Sequence, residues 1–199
     1  MDNSQSYPIN YYSKEELKNL LRLLASQNSM WTRSYVVSYV SGLDDIIVLE
    51  NRLNMNAIDF RNVFSIYFGT KISMELETLL RAYIKSMTEV LSLLKRNYLS
   101  LSNNASSPNL VLEQNLKSAT DNWNAIGIEI ANFLASINPN WQAMQMETLI
   151  LDHIEMTRDM MEQRLRRDYA YEVNQYDFIE YHSLLIADVI SNGIIEMFY

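Results

Sequence analysis

The sequence predicts an all-α fold, an up-and-down antiparallel bundle of four to five long helices with two short helices between the first and third. Three observations carry this expectation. Only 4 Gly and 3 Pro occur in 199 residues, where average usage would give roughly 14 and 10, and such sparse punctuation favours long helices. Apolar residues recur at helical spacing through most of the chain, as in helices with one buried face. No segment alternates convincingly with the period of two that a half-buried strand requires. Long amphipathic helices joined by short turns bury their faces by packing antiparallel.

Residues 1–12 read as a polar tail and residues 13–199 as one helical domain. Ser13 followed three residues later by Glu16 is a capping-box pattern, so the first helix starts there. Its apolar positions run from Leu17 to Val36, and Gly42 is a natural stop. Asp44 and Asp59 each open a short helix, DDIIVLENRLN and DFRNVFSIYFG, the second ended by Gly69. Ser73 can cap a long element whose inner face carries Leu76, Leu80, Tyr83, Met87 and Leu94. LSLSNNASSPN, residues 99–109, is the one Ser/Asn-rich stretch and reads as a loop. A further helix runs from Leu110 to about Ile137, where Pro139 forbids simple continuation. Another spans about Gln142 to Arg167, and the last, YDFIEYHSLLIADVISNGIIEMF, tolerates Gly193 inside it.

A net charge of −8 argues against nucleic-acid backbones and anionic membranes as partners. Cysteine is absent, which removes disulfides, thiolate metal sites and cysteine nucleophiles together. MDNSQSYPINYY lacks the basic start and apolar run of a signal peptide, and no run of ~18 consecutive apolar residues occurs. A cytoplasmic location without a membrane partner is the expectation.

Two helices share one frame, QNSMWTRS and DHIEMTRD, in which Asn28 corresponds to His153. Looser echoes centre on Tyr83 in LLRAYIKSMTE and on His182 in IEYHSLLIADV. Apolar or small residues flank each centre three and four positions away, so all four should point inward. Asn28, Tyr83, His153 and His182 are therefore the candidate ligand- or cofactor-binding residues, converging from four helices into one polar layer.

The run WTRSYVVS, ENRLNMNAIDF, YFG, LLRAYI, Trp123 with EIANFLASINPNW, DHIEMTRD and YDFIEYHSLLIADVISNGI resembles, in order over about residues 17–198, a family of small helical-bundle proteins of spore-forming Gram-positive bacteria. Members often carry the label acetylglutamate kinase, but the chain has neither the glycine-rich phosphate cradle nor the parallel-sheet pattern of a kinase. The resemblance implies histidines at the four polar centres, often preceded by an acid. This chain keeps His153, with Asp152 before it, and His182, and departs at Asn28 and Tyr83.

Four inward imidazoles would suit a transition metal, whereas two imidazoles, an amide and a phenol make a poorer cage. His153 and His182 are the candidate metal ligands, and ferritin-like bundles would add carboxylates on the same face; the inward candidates for that role are Glu129 and Asp177. The alternative for the histidines is a hydrogen-bonded core layer that fixes helix register, with His153 and His182 donating to each other, to Tyr83 or to backbone carbonyls. No nucleophile motif or paired catalytic carboxylates mark an enzyme. Thr32-Arg33 and Thr157-Arg158 read as structural, the threonines bonding back to carbonyls and the arginines pairing with acids on neighbouring helices. Five methionines on one helix, Met144, Met146, Met156, Met160 and Met161, are too many for one inward stripe, and RRDYAYEVNQYDF mixes rings with charges. Both suit a homodimer or other self-association. The leading functional expectation is a non-enzymatic binding or self-associating module with a buried polar layer; the competing one is a ferritin-like bundle holding a metal or small ligand in its core.

Overall fold

A computed structural model of the chain describes residues 11–102 and 109–199. It is helical throughout: α1 (Lys14–Ser41), α2 (Ile46–Ser102), α3 (Leu110–Ile137), α4 (Ala143–Arg166) and α5 (Tyr169–Phe198), with no strand among the described residues. Residues 1–10 of the expected tail and 103–108 of the expected loop lie outside the described residues. Tyr11 and Tyr12, the end of that tail, pack on the core, Tyr11 stacking on Tyr67 at 5.1 Å.

The helix starts follow local chemistry. Ser13 and Glu16 form a complete capping box, and Gly42 closes α1 in the left-handed region at φ 70°. Asn109 caps α3 by accepting from Leu112 N–H, and Asp168 caps α5 by accepting from Tyr171 N–H. In each case a side-chain oxygen satisfies an amide that has no intrahelical partner.

α2 is two arms meeting at Gly69, whose φ of 77° and ψ of 171° are not helical. Glycine reaches this conformation without a Cβ penalty. Arg61 and Glu77, 16 residues apart, pair at 2.8 Å, and Arg81 donates to Asn54, 27 residues away, at 3.1 Å. In a straight helix 16 residues would span about 24 Å, so the chain folds back at Gly69 into an antiparallel hairpin. The two short helices expected before it are one continuous arm, residues 46–68. Asp59 lies within that arm, paired with Arg52 at 3.3 Å. Ser73 is likewise no cap: it is fully buried one turn into the second arm and donates to the Thr70 carbonyl.

Helices that follow one another along the chain run antiparallel, and α5 closes antiparallel on α1. On α1 and α5, Arg22 meets Asp188, Ser26 meets Glu180, Ser29 meets Ser183 and Arg33 meets Glu172, one series of numbers rising as the other falls. Contacts of α1 with α2, α2 with α3, α3 with α4, α4 with α5 and α5 with α1 close the ring. One core runs through it, including Leu17, Leu21, Leu53, Leu91, Trp123, Met146 and Ile194, each 0% exposed. Burial of each such side chain contributes about 1.5–3 kcal/mol.

At one end of the bundle Trp141 anchors an aromatic group with Phe64 at 6.0 Å and Phe68 at 5.7 Å, and Phe68 meets Phe198 edge-on. Gly193 is required there rather than tolerated: a Cβ would stand 2.0 Å from the Trp141 indole nitrogen. That nitrogen donates to the Val189 carbonyl. α5 carries an 18-residue window of mean hydropathy 1.2, enough by length and composition to cross a membrane, with 39% of the window buried in the bundle.

Candidate functional site

Midway along the bundle the core does not close. A cavity of about 140 Å3 is bounded mainly by apolar side chains, Phe60, Leu76, Leu80, Ile130 and Ile150 among them. Asn28 from α1, Tyr83 from the second arm of α2 and His153 from α4 reach its wall. Three of the four predicted polar centres therefore converge. Each keeps some accessible surface, although protein surrounds the His153 and Tyr83 rings, as expected of side chains on the wall of a void.

His182, the fourth, is displaced from the cavity. Its ring lies 5.9 Å from that of His153 and within 15° of parallel, while other atoms of the residue line an acidic surface groove with Asp152, Glu155, Asp159 and Glu162. The reason is angular. On α5 the buried strip runs through Ile179, Ser183, Ala187 and Ile190, and Phe178 and Leu185, expected to share the inner face of His182, are exposed. Ser183, one residue and about 100° further round the helix, takes the cavity position. Its hydroxyl is already engaged with Ser29 and the Ile179 carbonyl.

The two imidazoles do not form the expected hydrogen-bonded layer. Both Nδ1 atoms are buried without a partner among the described residues, and stacked rings cannot donate to each other. Burial pushes the His153 imidazole down to about 4, with the neighbouring His182 adding to the effect, so His153 is neutral near pH 7. Burial lowers His182 too, and Asp152 pulls it back up. Burial drives the Tyr83 hydroxyl above its usual range, partly offset by the Trp123 indole, whose ring meets Tyr83 edge-on at 5.5 Å.

As metal ligands the histidines stand alone. No group of three or more His, Cys, Asp or Glu gathers among the described residues. Glu129 and Asp177, expected to face inward, are exposed.

Spacing in the sequence did not reveal Asn56, which is 0% exposed on the first arm of α2. Its amide donates to the Leu24 carbonyl at 3.1 Å, and its oxygen accepts from Asn28 at 2.9 Å. Asn56 falls between the two short helices expected from Asp44 and Asp59, and it is instead a core hydrogen-bonding residue inside one continuous arm. Arg33 pairs with an acid on a neighbouring helix, the buried Glu172, at 2.6 Å. Arg158 instead pairs with Glu162 on its own helix, and the Thr157 hydroxyl, expected to bond back to a carbonyl, is buried without a partner. Comparison with family models, with curated proteins and with solved structures gave no match.

Proposed function

We propose that this protein is a non-enzymatic, cytoplasmic binding module that holds one small, largely apolar molecule inside its bundle. The observation that carries the reading is the apolar cavity of about 140 Å3, with Asn28, Tyr83 and His153 among the residues of its wall. Ligand sites are typically apolar concavities with a few placed polar groups, and an engineered apolar cavity of about 150 Å3 in another protein takes up benzene or xenon. Binding is favoured over turnover because a general base needs a group to orient it, and His153 Nδ1 has none.

Toluene tests this. At about ten times its Kd it should stabilise the fold by ~1.4 kcal/mol and raise Tm by roughly 3–6 °C for a chain of this size. Ala57→Leu, which places a larger side chain into the cavity wall, should abolish the shift. No shift in the wild-type protein, or an equal shift in the filled variant, would overturn the reading.

Self-association is a second reading, favoured by Ile47 at 72%, Val48 at 68%, Leu110 at 74% and Val111 at 71% exposure. Light scattering should give a dimer of the chain that Val48→Asp converts to monomer; monomer alone at all concentrations would contradict it.

A further inference from the structure

We infer that the molecule held in the cavity is uncharged and offers a hydroxyl or N–H donor to the side-chain oxygen of Asn28. This rests on the reading of the cavity as a binding site and adds the chemistry of its occupant.

The orientation of Asn28 follows from a chain of obligations. The Leu24 carbonyl can only accept, so the atom of Asn56 at 3.1 Å from it is the amide nitrogen. The oxygen of Asn56 is then the atom 2.9 Å from Asn28, and since it too can only accept, Asn28 must turn its own nitrogen toward it. An amide carries two donors on nitrogen and an acceptor on oxygen. With one N–H committed to Asn56, Asn28 keeps its second N–H and its oxygen, and no donor from the described residues reaches that oxygen. Asn56 is completely buried, so flipping the pair would leave the Leu24 carbonyl facing an oxygen within the core. The oxygen of Asn28, a residue of the cavity wall, is therefore an acceptor of fixed orientation.

The other polar groups complement it. Tyr83 stays protonated, because burial pushes its hydroxyl upward, and can donate to a guest oxygen. A hydroxyl guest can donate to Asn28 and still accept from Tyr83 or the imidazole. The wall includes no Asp, Glu, Lys or Arg among the described residues, and its one histidine is neutral. A carboxylate or ammonium guest would enter without a counter-charge, and an unpaired charge in an apolar site is strongly disfavoured.

The probes are fluorobenzene, phenol and benzoate, which share one ring and differ in donor and charge. Their affinities are read by NMR titration at pH 7 for the wild-type protein and for Asn28→Leu. Phenol should bind at least as tightly as the more hydrophobic fluorobenzene, the preference should fall by about fivefold or more in Asn28→Leu, as expected for one net hydrogen bond, and benzoate should not bind. Fluorobenzene binding more tightly than phenol in the wild-type protein overturns the donor assignment and leaves the cavity reading standing. So does a phenol preference that Asn28→Leu leaves unchanged. Benzoate binding in the same range overturns the claim of an uncharged guest. If no probe binds the wild-type protein, the cavity reading itself fails. Should Asn28→Leu not fold, the order of fluorobenzene and phenol in the wild-type protein decides.

Discussion

The two ends of the Trp141–His153 stretch contrast a region built for stability with one that gives stability up. Around Trp141 the indole nitrogen is bonded, four aromatic rings lie within 6.0 Å of one another in series, and Gly193 is the only residue that leaves room for the ring. Around His153 there is empty volume; unpaired buried polar atoms occur in both regions, Asn138 Nδ2 beside Trp141 and the Nδ1 atoms of His153 and His182 here, so the void is what separates them. Unpaired buried polar atoms each cost about 1–3 kcal/mol, and the lining of a void forfeits dispersion contacts. A bundle free to optimise only its own stability would have filled the second region as it filled the first. The contrast therefore marks where to look for function.

Perturbations at the two regions should behave differently. Trp141→Ala should cost about 4 kcal/mol, as for a fully buried large ring, measured by urea denaturation. Gly193→Ala should cost about 3 kcal/mol, the upper range for overpacking, because the indole must move and lose its bond to Val189. A cost near zero would show that the aromatic end is loosely packed and would dissolve the contrast.

The cavity region should show itself in pH dependence. The free imidazole value of 6.5 falls to about 4 at His153 in the fold. Between those values the unfolded chain takes up a proton at this position and the folded protein does not, so stability is fully retained above pH 6.5 and is lost as pH falls toward 4. The loss attributable to His153 is about 2–3 kcal/mol, read as the difference between wild-type and His153→Leu unfolding curves across that window. Parallel curves would mean that the imidazole is solvated. The smallest effect is expected for His153→Leu at pH 7.5: a gain of about 1 kcal/mol, since an unpaired polar atom is replaced by a methyl group. His153→Ala should instead be destabilising by about 2 kcal/mol through the enlarged void. A substantial loss in the leucine variant would show that the imidazole has a partner in the fold.

Much of the architecture was legible because helix ends are set by local chemistry. Ser13, Gly42, Gly69 and the turn at Pro139 all act where their sequence context places them. The middle of α2 was not legible, because Asn and Asp near residues 54–59 look alike whether they punctuate a loop or serve inside a helix. Only the partner across the core distinguishes them, and for Asn56 that partner is Asn28 on α1. The same limit applies to the site. Helical spacing brought Asn28, Tyr83 and His153 to one cavity, but a rotation of about one residue decides whether position 182 or 183 faces it, and apolar flanks on both sides of His182 did not resolve that difference. The unpaired state of the imidazoles depends on distances between helices and has no sequence signal. Glu129 and Asp177 were misplaced for the same reason: each lies close to an inward strip without being on it.

A crystal of the protein under xenon pressure tests the central claim most directly, since xenon occupies dry apolar cavities without needing polar contacts. The account predicts a single strong anomalous peak between Phe60, Leu76 and Ile150, absent in Ala57→Leu. Side chains collapsed into that space, or ordered water bonded to both His153 and Asn28 with no xenon uptake, would contradict it.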